Sequence, residues 1–225
     1  MPLIHIGFPK TATTWVQKSL FLPKFGFIQG LDHAQIQGGI ISPTPFIYNP
    51  ELVLHRYDLN IETRTNEVPV VSSETLAGNI YCGGYNVKQN ADRLHDTFPG
   101  GRVLLVTREQ KSLIRALYKT LVQWGMPHSI DRFLYPLEPH RFPQFTLDYF
   151  RFEQVGRYYM NLFGEDNVLI IPYELLQREP ERFARDIVEF SRTPVPFEEI
   201  YANINPARRV NTKQADQRHH VPALV

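Results

Sequence analysis

Lys10 stands in the run Gly7-Phe8-Pro9-Lys10-Thr11-Ala12-Thr13-Thr14-Trp15, between a strand-like apolar segment and the start of a helix-like one. A strand–loop–helix junction aims backbone N–H groups and the positive helix end at one spot, which makes an anion site. Lys10 adds a full charge there, and Thr11, Thr13 and Thr14 add hydroxyl donors. The chemistry on offer is the holding of a phosphate or sulfate. The plainer alternative is a Thr-capped helix start beside a surface lysine. The Walker pattern is not met, because no Gly-Lys-Ser/Thr triplet occurs in the chain.

Two further groups could join that site. Arg108 follows the apolar run Val103–Val106, at the carboxyl end of a buried strand, where α/β folds place ligands. Ser112 falls in the first turn of the next helix, and Arg115 shares its face. An arginine and a serine converging in this way suit a phosphate. Taken alone, Arg-x-x-x-Ser also describes a solvated helix start. The third group is Glu74, just beyond the strand Val68–Val71 in Val70-Val71-Ser72-Ser73-Glu74. It is a candidate general base. Its alternative is a capping Ser-Ser-Glu, with Ser73 as the cap and Glu74 favouring the helix dipole.

The elements that must carry these residues alternate. Leu3–Ile6, Val68–Val71, Val103–Val106 and Val168–Ile171 are short continuous apolar runs, the pattern of strands buried on both faces. Phe25–Ile28 is a possible fifth. Helical spacing marks Thr13–Phe21, Gln110–Val122, Leu147–Phe163 (stopped by Gly164) and Pro180–Phe190. The expectation is an α/β fold of three layers, a central, mostly parallel sheet flanked by helices, in one domain over 1–225. Segments 30–66 and 125–146 read as long loops and hold many of the 18 prolines, so they are expected to cover a binding site. Residues 203–225 read as a polar, basic surface tail.

Composition narrows the class. Hydrophobic residues at 43% against 21% charged exclude general disorder. No apolar run is long enough to span a membrane, and no leader-like segment opens the chain, so a cytoplasmic location is expected. A formal charge of +1 gives no reason to expect nucleic-acid binding. Cys82 is the single cysteine, and the eight histidines form no ligand pattern, so no metal site is expected.

Pro9-Lys10-Thr11-Ala12-Thr13-Thr14-Trp15 resembles the 5′-phosphosulfate loop of sulfotransferases, P-K-[ST]-G-T-T-W, at six of seven positions, with Ala12 in place of glycine. Arg108 and Ser112 are similar in spacing to that family's 3′-phosphate site. Asn167-Val168-Leu169-Ile170-Ile171-Pro172-Tyr173-Glu174 resembles its late Tyr-Glu element. On this basis the chain is identified as a member of the sulfotransferases that use 3′-phosphoadenosine 5′-phosphosulfate, with a fold like that of the P-loop nucleotide kinases. The resemblance implies Lys10 and Glu74 as catalytic residues. It implies donor binding by Lys10, Thr11, Ala12, Thr13, Thr14, Arg108 and Ser112. Trp15 and Tyr173 would approach the adenine, though either could be an ordinary core aromatic. The family's Arg-Lys-Gly closing triplet is missing, and Arg208 or Arg209 would be a loose substitute. The implied acceptor is a small molecule or saccharide with a hydroxyl or, second, an amine. The alternatives are a kinase-like phosphotransferase and a non-catalytic nucleotide-binding module. Neither the acceptor nor the oligomeric state can be read from the residues.

Overall fold

The computed structural model describes residues 1–62, 66–125, 129–136 and 144–204. Its centre is a sheet of β1 (Leu3–Gly7), β2 (Phe27–Leu31), β3 (Val68–Ser72), β4 (Arg102–Thr107) and β5 (Val168–Pro172). Four of these are the apolar runs of the sequence. The fifth, β2, starts later than Phe25 because Pro23–Phe25 form a 3-10 turn that ends on Gly26 at φ 75. The strand order is β2-β3-β1-β4-β5, and every neighbouring pair is parallel. β1 is bonded on both sides, so the loop leaving it opens at the middle of the sheet's carboxyl edge. That edge is where open α/β sheets hold ligands.

The helices are α1 (Thr13–Trp15), α2 (His33–Ile36), α3 (Pro50–Ile61), α4 (Val87–Thr97), α5 (Gln110–Gln123), α6 (Ile130–Leu134), α7 (Phe152–Phe163), α8 (Tyr173–Arg178), α9 (Pro180–Ser191) and α10 (Phe197–Ala202). A π-helical turn, Val16–Leu20, extends α1. Side chains alternate across a strand, and both faces of this sheet are covered. Ile4, Ile6, Val71, Val103 and Leu105 enter one core, with α3, α4, α5 and α7. Leu3, Val70, Leu104 and Val106 enter the other, with α1, α9 and α10. The result is the three-layer α/β architecture expected.

Several boundaries differ from the reading of the sequence. The segment 30–66 is not loop-rich. Asp32 and Gln35 form a reciprocal capping box at α2, and Gln37–Ile41 continue it as a π-helical turn. Asn49 accepts from the N–H groups of Glu51 and Leu52, and Pro50 opens α3. These are helix-start signals. They were masked because α3 buries only Val53 and Tyr57, too sparse a stripe to show as a period. The same cause hides α4, whose buried face includes Asn90, Arg93 and Thr97. Arg93, 3% exposed, donates to the carbonyls of Ile40 (2.6 Å), Pro43 (2.6 Å) and Ile41 (3.4 Å) and so fastens the end of the π turn to α4. Leu147–Phe163 is two elements: a 3-10 turn Leu147–Phe150, capped by Thr146, and then α7. Among the described residues of 125–146, Ser129 caps the short α6, and the Phe133 and Phe145 rings meet at a tilt with centres 4.2 Å apart.

Candidate active site

The loop after β1 makes two left-handed turns at residues that are not glycine: Lys10 and Ala12, both at φ 66. The position where Ala12 replaces glycine is therefore one that favours glycine. Gly7 is needed for a different reason. A Cβ there would lie 2.1 Å from Thr13 Oγ1 and 3.3 Å from His5 Nε2. Thr11 is buried, and its hydroxyl donates to the Phe8 carbonyl, so it holds the loop's shape. Thr13 is 5% exposed, and its hydroxyl is buried with no partner among the described residues. Thr14 is half-buried at the mouth of a cavity. Lys10 is exposed.

Arg108 ties this loop to the end of β4. Its Nη1 donates to the Lys10 carbonyl at 2.7 Å, and its Nε donates to Ser112 Oγ at 3.1 Å. Its guanidinium lies 4.8 Å from the centre of the Tyr173 ring, on the first turn of α8. Four of the residues expected at a donor site, Lys10, Arg108, Ser112 and Tyr173, thus meet over the ends of β1, β4 and β5. Glu109 caps α5 by accepting from Lys111 and Ser112 N–H, which holds its carboxyl below the usual range. With those N–H groups taken, an anion here would be held by the Arg108 guanidinium rather than by the helix end. Trp15 is 5% exposed and packs edge-on against Phe183 in the core. Arg208 and Arg209 lie outside the described residues.

Glu74 is reached from β3. Ser73 caps the 3-10 turn Glu74–Ala77 by accepting from Thr75 N–H, so the capping reading holds for Ser73. Glu74 itself is exposed, and its carboxylate forms no hydrogen bond or ion pair with the described residues. Burial, and secondarily the Glu74 charge, push the Tyr81 phenol up. Two cavities meet on Glu74 and Thr75. One, of about 550 Å³, holds Lys10 and Glu74 together and is lined by Tyr81, Tyr85, Thr120 and Trp124. The other, of about 580 Å³, opens on the α1 face of the sheet, between α1, β2 and β3.

Beneath that second cavity runs a polar network. His5 Nδ1 pairs with Ser72 Oγ at 2.8 Å, and Gln17 Nε2 donates to the same oxygen at 3.0 Å. It links the helical turn that follows the β1 loop to β3, the strand that leads to Glu74. Burial holds the His5 imidazole down to about 3, so it is neutral. Trp124 and Thr120 were missed in the sequence. Thr120 lies on α5 and Trp124 is its C-terminal cap four places on, a spacing that could have flagged them. Tyr48 and Tyr57 are packing residues. Tyr48 is bonded to Arg93 O and Thr97, and Tyr57 lies against Phe98. Among the described residues no group of three or more His, Cys, Asp or Glu side chains could hold a metal ion, and no helix is long and apolar enough to cross a membrane.

Comparison with known proteins agrees with this layout. No curated protein sequence matches the chain significantly. The sheet and its helices superpose on a sulfotransferase from Alicyclobacillus acidocaldarius with a TM-score of 0.63 at 17% identity, covering 94% of this chain and 87% of that one. The sulfotransferase domain from the curacin biosynthetic pathway superposes with a TM-score of 0.50 at 15% identity, covering 92% and 78%. These likenesses describe a shared fold. The Sulfotransferase family pattern matches residues 85–198, half of the chain, a span that contains Arg108, Ser112 and Tyr173 but begins after Lys10 and Glu74. On that match the chain belongs to the sulfotransferase family, and it is a transferase.

Proposed function

We propose that this protein transfers a sulfuryl group from 3′-phosphoadenosine 5′-phosphosulfate to a hydroxyl of a neutral small-molecule or saccharide acceptor. The observation that carries the donor reading is Arg108, whose guanidinium reaches both the Lys10 carbonyl and Ser112. One side chain thereby joins the two places where a donor with two separate phosphates needs positive charge. The unpartnered, buried Thr13 hydroxyl also suits an anion, since a donor left unsatisfied is destabilising by about 1–3 kcal/mol.

In this reading the backbone N–H groups of Thr11–Thr14 and the Thr13 hydroxyl hold the 5′-phosphate. Arg108 and Ser112 hold the 3′-phosphate, and Tyr173, stacked under Arg108, flanks the adenine. The donor supplies an activated sulfuryl group. An acceptor oxygen forms the new O–S bond as the bond from sulfur to the bridging phosphate oxygen breaks. The acceptor proton passes to Glu74, and adenosine 3′,5′-bisphosphate leaves. Lys10 stabilises the charge that builds on the bridging oxygen. Leu31 and His33 on one side, and Gln37, Ile41 and Ser42 on the other, wall the acceptor space beside Glu74.

Calorimetric titration with adenosine 3′,5′-bisphosphate and with adenosine 5′-monophosphate tests the donor. Binding that depends on the 3′-phosphate is expected, and equal binding of the two would overturn it. Glu74→Gln should bind the bisphosphate as the parent does, yet lose about 10²- to 10⁴-fold in transfer rate. A Glu74→Gln protein with full activity would remove Glu74 as the base.

A further inference from the structure

The two cavities beside Glu74 bear on what kind of hydroxyl is sulfated, an inference that rests on the transfer reaction proposed above. Glu74 and Thr75 line both. A hydroxyl brought to the Glu74 carboxylate therefore has open space on either side of it. A molecule whose hydroxyl is at its end fills one cavity and leaves the other to water. A molecule whose hydroxyl lies in its middle fills both.

The two cavities offer different surfaces. In the cavity that contains Lys10, most polar side chains are already engaged. Asn79 Oδ1 accepts from Tyr81 N, Asn86 Oδ1 accepts from Asn79 N, and the Thr120 hydroxyl donates to the Ala116 carbonyl. What remains is aromatic: Tyr81 and Trp124, 5.7 Å apart, with Trp124 71% exposed, and Tyr85 beside them. In the cavity on the α1 face, Gln17 and Ser72 are bonded to each other, and the apolar walls Phe21, Pro23, Ile28 and Val70 stand beside Thr13, Thr14 and His33. Lys18 and His33, both exposed, are its groups able to carry positive charge. Glu74 lines both cavities, and its negative charge disfavours an anionic acceptor.

We infer that the acceptor is a neutral secondary alcohol with two arms, an aromatic or ring-shaped arm in the Lys10 cavity and an aliphatic arm in the cavity on the α1 face. Each methylene buried in that second cavity is worth about a fourfold gain in affinity.

A matched pair of probes isolates the second arm. 3-Phenylpropan-1-ol and 1-phenylhexan-3-ol carry the same phenylethyl arm on the carbinol carbon, and only the latter has a propyl arm. Both are titrated into protein saturated with adenosine 3′,5′-bisphosphate. The two-armed alcohol should bind about tenfold or more tightly than the terminal one. Gln29→Trp, which fills the α1-face cavity from the exposed position on β2, should erase that difference and leave 3-phenylpropan-1-ol unchanged. Lys18→Trp, from the opposite wall, should do the same and guards against one variant failing to fold. Equal binding of the two alcohols, no binding of either, or a preference that survives both substitutions overturns the two-armed acceptor. Failure of the same protein to bind the bisphosphate overturns the donor reading instead.

Discussion

Lys10 and Ala12 hold the loop after β1 in left-handed backbone without a glycine at either position. For an L-residue that conformation is destabilising by roughly 1–2 kcal/mol. Placing glycine there relieves this strain but adds freedom to the unfolded chain, an opposing effect of about 0.4–1 kcal/mol. The relief is the larger effect, so Ala12→Gly should stabilise the protein by about 0.5–1 kcal/mol. Urea unfolding midpoints measure it, and a lower midpoint would show that the Ala12 methyl contributes packing that outweighs the strain. Strained backbone at a ligand-binding loop is a recurring use of such conformations. At the same scale, the exposed Glu74 carboxylate forms no hydrogen bond or ion pair with the described residues, while its neighbour Ser73 does the capping.

Between elements, a few long-range polar contacts set the geometry. Arg108 joins the loop after β1 to the end of β4, and Arg93 binds the π turn after α2 to α4. His5 on β1 joins Ser72 on β3, with Gln17 beside it. Because burial lowers the His5 pKa to about 3 from an ordinary value of 6.5, only the unfolded chain takes up a proton between those values. Stability from this group is therefore complete above pH 6.5 and falls by about 1.4 kcal/mol per pH unit below it. Between pH 7.5 and 5.0 the parent should lose about 2 kcal/mol that His5→Asn does not lose. Denaturant unfolding at the two values checks this. The same pH slope in both proteins would assign the acid sensitivity to other groups.

For the whole molecule, the sheet places the loop after β1, Arg108 and Tyr173 on one edge, so a ligand bridging them would brace β1, β4 and β5 together. Adenosine 3′,5′-bisphosphate at 100 times its dissociation constant should raise the unfolding free energy by about 2.7 kcal/mol. The shift in thermal midpoint measures it, and Arg108→Ala should remove most of the shift at the same concentration. An undiminished shift would mean that Arg108 does not touch the ligand. The alternation of elements and four of the five strands were legible in the residues because each depends on local spacing, whether a run of apolar side chains or a capping residue. Helices α3 and α4 were not, because their inward faces are sparse or polar and are satisfied only by partners far along the chain, as Arg93 is by the carbonyls of Ile40 and Pro43. The sequence by itself determined which residues could hold phosphate and which could take a proton. Only the tertiary structure decided that Arg108 reaches the carbonyl of Lys10, 98 residues away, and that Glu74 stands between two cavities rather than facing one. Those relations come from the parallel strand order, which brings distant chain segments to one edge, and no local pattern encodes it.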